Sequence, residues 1–194
     1  MSTQPIVFPA ISEIQTFFFD AALATYAGGA KAKTDPSTPA VKFYSFERGD
    51  FIYLDKFMVN GEYSGGQTVI YFQGNPVWLM QYQGWCKNDD PAVLAFLKRA
   101  LRNAYEQRSF YGGRGPSSMS YHSGLLPPLD PNHRKLYYYN EGYGTGYSIK
   151  NEPFHKFIGY ERIEELDTSL KNEVVFWHRY QGMLLIPNDK GERL

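Results

Sequence analysis

The chain repeats itself. Residues 16–26, TFFFDAALATY, align with residues 95–105, AFLKRALRNAY, and residues 75–84, NPVWLMQYQG, align with residues 173–182, EVVFWHRYQG. Each half reads as one helix and then a run of strands, the last of them aromatic and ending Tyr-Gln-Gly. A chain that carries one order of elements twice is expected to pack two like units together. The expected fold is therefore α+β, with internally duplicated helix-plus-antiparallel-sheet units: two helices packed on antiparallel meander sheets about a pseudo-twofold axis. The repeats span about residues 11–86 and 90–186 of a single domain. A chain of 194 residues is long enough to bury a core of its own.

Local signals place the elements. Ser12 with Gln15 has the form of a capping box. Behind it Ile14, Phe17, Phe18, Ala21 and Thr25 share one helical face, and Gly28-Gly29 supplies a stop. Residues 41–47 and 51–57 read as strands around an Arg48-Gly49-Asp50 turn. Residues 67–73 and 77–83 read as a hairpin joined by Gly74-Asn75. Residues 67–84 carry no charge, which marks a central strand pair, since edges are usually protected by charge. Asp90-Pro91 opens the second helix, with Val93, Leu94, Leu97, Ala100, Leu101 and Ala104 as its buried stripe. Strands are then expected at 136–141, 143–149, 160–166 and 173–186. Between them lies a long loop, residues 108–135, rich in Gly and Pro. A loop of that length inside a compact domain is functional or mobile.

Composition excludes several classes. The 20 basic and 20 acidic residues balance, so no long-range pull on a phosphate backbone is expected and direct nucleic-acid binding is not. No stretch approaches the roughly 18 apolar residues of a spanning helix, and the first residues lack the pattern of a secretory signal. One cysteine, Cys86, fits a reducing compartment. The expectation is a cytoplasmic protein without a membrane span.

Candidate chemistry is sparse. His122, His133, His155 and His178 show no ligand spacing, so no metal site and no cofactor are expected. Cys86 reads as a small apolar residue ending a strand. Gly142-Tyr143-Gly144-Thr145-Gly146 lacks the strand–helix context of a phosphate loop and reads as a wide hairpin turn. Arg114, flanked by glycines and Pro116, is the best anchor for a carboxylate or phosphate; the alternative is an arginine whose salt bridge pins the loop. Glu161 stands out among the carboxylates. The many strand tyrosines, with Tyr82, Tyr160 and Tyr180 foremost, suggest a cleft with polar tips, against plain cross-strand packing.

The order of motifs resembles a bacterial family known only as a domain of unknown function, whose members occur alone or behind an XRE-type helix-turn-helix. The matching residues are Ala24-Thr25-Tyr26-Ala27-Gly28, Gly49-Asp50-Phe51-Ile52-Tyr53-Leu54-Asp55, Ser64-Gly65-Gly66-Gln67, Pro76-Val77-Trp78, the helix at 96–102, Arg114-Gly115-Pro116, Gly159-Tyr160-Glu161-Arg162-Ile163 and Tyr180-Gln181-Gly182. The resemblance implies no activity and no catalytic residues. Its link to DNA-binding modules implies a sensing or partner-binding role. The expected function is thus a non-enzymatic small-ligand or protein-partner site where the halves meet, built from Arg114, Tyr82, Tyr160, Glu161 and Tyr180. One alternative is a small enzyme acting on a nucleotide or sugar, with Glu161 or Asp50 as general base. Another is a homodimer formed through exposed aromatic surface.

Overall fold

The strands run on into one layer. The computed structural model describes residues 7–121, 135–144, 154–166 and 172–186. Helix α1 spans Ile11–Ala24 and α2 spans Pro91–Glu106. The strands are β1 (Lys33–Asp35), β2 (Thr38–Arg48), β3 (Phe51–Asn60), β4 (Tyr63–Phe72), β5 (Asn75–Cys86), β6 (Ser118–Tyr121), β7 (Lys135–Gly144), β8 (Lys156–Leu166) and β9 (Asn172–Leu184). Their order is β1-β2-β3-β4-β5-β9-β8-β7-β6, with every pair antiparallel.

This overturns the expected α+β architecture of duplicated helix-plus-sheet units. Among the described residues one nine-stranded sheet dominates, with two helices beside it. The physical reason lies in β5 and β9. β5 is uncharged throughout and so lacks the charge that would protect an edge from pairing, and between Glu173 and the end of β9 the only charge is Arg179. They pair with each other, Gln81 opposite Gln181 and Tyr82 opposite Tyr180, so neither half keeps a free inner edge.

Sheet alternation sorts the side chains. One face carries Tyr53 and Asp55 of β3, Thr68 and Ile70 of β4, Trp78 and Met80 of β5, Phe157 and Ile163 of β8, and Phe176 and Tyr180 of β9, all buried. Both helices lie against that face. Phe18 of α1 packs on Trp78 at 5.0 Å between ring centroids and on Tyr105 of α2 at 5.6 Å. The buried stripe of α2 is Val93, Phe96, Leu97, Ala100, Leu101, Ala104 and Tyr105. Asp20 of α1 holds Arg48 at 2.5 Å and also pairs with Arg108, which ties the helix to the end of β2 and to the start of the glycine loop.

Boundaries moved by small amounts. Asp90 caps α2 by accepting from the Ala92 and Val93 amides. At α1 the cap is not Ser12: the helix begins at Ile11, and Glu13 accepts the Ala10 N–H at 2.8 Å. The β4–β5 turn sits at Gln73-Gly74, both at positive φ, one position before the expected pair. The expected turn at 142–146 is strand as far as Gly144; residues 145–146 lie outside the described residues, as does the 122–134 part of the long loop. No helix among the described residues is long and apolar enough to cross a membrane.

Candidate functional site

The glycine loop after α2 is built into the protein. Gly112 and Gly113 take φ of 68° and 71°, a region that costs glycine little. The loop backbone is bonded from both sides. The Tyr105 hydroxyl of α2 donates to the Gly113 carbonyl at 2.7 Å. The Asn140 amide of β7 donates to the Tyr111 and Gly115 carbonyls at 2.9 and 2.8 Å. The Gly115 N–H donates to the Tyr138 hydroxyl at 3.0 Å. These bonds hold Arg114 against the sheet, 6% exposed.

Arg114 meets Glu161, which is fully buried. Arg114 Nε donates to Glu161 Oε1 at 2.8 Å, and Nη2 donates to the same oxygen. The Tyr138 hydroxyl donates to Oε2 at 2.6 Å. His178 Nδ1 lies 3.2 Å from Oε1 and 3.3 Å from Arg114 Nη2. Burial alone would raise the Glu161 carboxyl, but the Arg114 charge and the His178 contact hold it down at about 2. Burial holds His178 below its ordinary value, against the pull of Glu161. The imidazole is therefore neutral at neutral pH, and its far nitrogen, Nε2, is 3.2 Å from Ser64 Oγ of β4.

A second polar group sits on the same face. Asp55 Oδ1 accepts from the Tyr82 hydroxyl at 2.7 Å and from Thr68 Oγ1 at 3.2 Å. Burial pushes Asp55 up to about 6, with those two bonds and the Arg114 charge opposing. Glycines make these reaches possible. A Cβ on Gly66 would lie 2.8 Å from the Tyr82 hydroxyl oxygen, and one on Gly159 would lie 2.2 Å from that of Tyr180. The two central tyrosines lean in opposite directions, each across a glycine, Tyr82 to Asp55 and Tyr180 to Asn140 at 2.5 Å.

Between α2 and these strands lies a cavity of about 370 Å³. Leu97 and Leu101 of α2, Met80 and Phe176 form its apolar wall, while Asp55, Thr68, Tyr82, Ser64, Arg114 and His178 supply polar groups. Cys86 also lines it; burial pushes that thiol up to about 11, so little thiolate exists at neutral pH. The opposite face holds a broader, open depression of about 890 Å³, with Lys56, Gln67, Gln81, Tyr160, Arg179 and Gln181 among its lining. The smaller cavity is the better candidate, because buried titratable groups, Asp55, Arg114 and His178, converge on it. Among the described residues, no three His, Cys, Asp or Glu side chains converge as metal ligands.

Of the residues singled out from sequence, the structure brings together Arg114, Glu161 and Tyr82. The Arg114 guanidinium carbon stands 5.8 Å from the Tyr82 ring centroid. Tyr180 is buried nearby with its hydroxyl on Asn140, outside the cavity lining. Tyr160 belongs to the other face, stacked on Trp177 at 6.4 Å. Asp50 is exposed in its turn and accepts from Gln73. Sequence reasoning missed Asp55, Ser64 and His178. For Ser64 and His178 the signal was register: Ser64, Gly84, His178 and Glu161 form one cross-strand row.

Residues 55–125 match a family described as a domain of unknown function (DUF5680). No curated protein and no solved structure matches the chain.

Proposed function

We propose that the protein binds a small molecule in the cavity between α2 and the sheet. The observation that carries this reading is a partly open cavity of about 370 Å³ in which a carboxylate stands against an apolar wall. That volume falls in the range of about 300–1,000 Å³ usual for small-molecule sites. The charges select the ligand class. Among the buried groups of the lining, Arg114 is committed to Glu161 and His178 is neutral, which leaves Asp55 as the buried charge without an ion-pair partner; Lys42, Glu62, Asp89 and Lys98 also line the cavity but are not buried. A ligand with an apolar body and a head that donates a hydrogen bond, an amine or a hydroxyl, suits this arrangement. A multiply charged anion does not. Tyr82 and Arg114 serve as polar walls, and Glu161 acts through Arg114 and His178 without touching the ligand.

Thermal shifts against a panel of aliphatic and aromatic amines and alcohols test the reading. A ligand at about 100 times its Kd adds roughly 2.7 kcal/mol. The expected result is a saturable shift with at least one amphipathic amine or alcohol, lost when Leu94→Trp fills the α2 side of the cavity. No shift with any member, or equal shifts in the filled variant, rejects it.

A further inference from the structure

Ser64, Gly84, His178 and Glu161 lie opposite one another on four adjacent strands, β4, β5, β9 and β8. Gly84 is what lets the outer members meet. A Cβ there would stand 2.1 Å from His178 Cδ2, so the imidazole occupies the space above Gly84 and spans β5. Its Nε2 then lies 3.2 Å from Ser64 Oγ and its Nδ1 lies 3.2 Å from Glu161 Oε1. Nδ1 faces both Glu161 Oε1, which can only accept, and Arg114 Nη2, which can only donate; the reactive ring form is the one that carries its hydrogen on Nδ1 and donates to Glu161. That leaves the Nε2 lone pair facing the Ser64 hydroxyl. A hydroxyl, a neutral imidazole and an ionised carboxylate in that sequence of contacts is the arrangement that activates a serine. Ser64 and His178 both line the cavity, so a bound molecule meets the hydroxyl.

We propose that Ser64 is a nucleophile for acyl transfer, with His178 as its base and Glu161 as the positioning residue, acting on small carboxylic esters with an apolar acyl group. The inference rests on the cavity as the binding site; the ester lies along the apolar wall beside Ser64 and does not use the donor contact to Asp55. In the first step a bond forms between Ser64 Oγ and the ester carbonyl carbon. The Ser64 proton passes to His178 Nε2 and then to the departing alkoxide, which leaves as the alcohol. Water next attacks the acyl-serine, His178 takes its proton, and the acid is released with the hydroxyl restored. Arg114 tempers the rate. It pairs with Glu161 and stands 3.3 Å from His178 Nδ1, so the imidazolium formed on proton transfer gains less than it would beside an unpaired carboxylate. Both half-reactions are therefore slow; an ester with an activated leaving group speeds only the first, so with such an ester the acyl-serine accumulates.

The full chain is incubated with p-nitrophenyl acetate and p-nitrophenyl butyrate, and separately with an alkyl fluorophosphonate. Nitrophenol release, intact mass and peptide mapping are the readouts. The expected result is a burst of about one equivalent and one acyl or phosphonyl group on Ser64. Ser64→Ala abolishes both, and His178→Gln slows labelling at least 100-fold. Glu161→Gln moves the pH midpoint of labelling, which a purely structural role would not do; Arg114, Glu161, Ser64 and Tyr82 are the polar groups that face the imidazole. Labelling on another residue, or labelling that survives in Ser64→Ala, overturns the proposal. A thermal shift by an amine or alcohol with no labelling of wild type overturns it too, while leaving the cavity reading intact.

Discussion

Two buried carboxylates on one sheet face are driven in opposite directions. Asp55 rises from 3.8 to about 6 because burial outweighs its hydrogen bonds, and Glu161 falls from 4.5 to about 2 because Arg114 and His178 together outweigh burial. Their effects on stability have opposite signs. Between about pH 4 and pH 6 the folded chain keeps the Asp55 proton that the unfolded chain releases, so stability is lost as pH rises through that window. The Glu161 contribution is full above about pH 4.5 and is lost as pH falls towards 2. Asp55→Asn keeps an oxygen for Tyr82 and Thr68 and removes the ionisation. Its gain over wild type is expected to be near zero below about pH 4 and to grow to roughly 3 kcal/mol above pH 6. Thermal melts of both proteins from pH 4 to pH 7 measure this. His178, held low, acts oppositely but is common to both, so a gain that does not change with pH would reject the assignment. Asp55 itself was legible only as a member of the strand at 51–57 and of the family motif that ends there, because a sequence does not say which member of a buried face will be left without a cation.

At the scale of elements, helices and hairpins were readable because their signals are local. The Asp90 cap, the stripe of α2 and the uncharged β4–β5 pair all stand where spacing placed them. The joining of β5 to β9 was not readable, since strand pairing across about a hundred residues leaves no local mark. The site followed the same division. Arg114 and Glu161 drew notice as single residues, whereas Ser64 and His178 acquire meaning only from register. Gly84 shows what register demands. An alanine Cβ there would lie 1.9 Å from the Trp177 carbonyl oxygen as well as 2.1 Å from the imidazole. Overpacking of this kind costs typically 1–3 kcal/mol, occasionally more. Gly84→Ala is expected to lose that much or more in urea unfolding and to break the Ser64–His178 contact. By contrast, a Cβ on Gly61 meets nothing within 4 Å. Gly61→Asn, a residue that tolerates the φ of 58° there, should change stability by less than about 1 kcal/mol. Equal losses at both positions would contradict the register.

For the molecule as a whole, the β5–β9 seam makes the sheet one cooperative body. Among the described residues its outermost strands are short: β1 is 3 residues long and β6 is 4. Short edges limit sheet-to-sheet pairing, whereas a cut between β5 and α2 would bare the long uncharged edge of β5. Residues 7–89 produced alone are therefore expected to aggregate, and to recover a native circular-dichroism spectrum only when mixed with residues 90–186. A soluble, cooperatively melting fragment would contradict this account. The lone cysteine adds a practical consequence. Cys86 faces the cavity with its sulfur almost wholly screened and almost wholly protonated at neutral pH. An alkylating reagent reaches the thiol through the cavity, so the rate of thiol modification becomes a gauge of how free that space is, and an occupant would slow that clock.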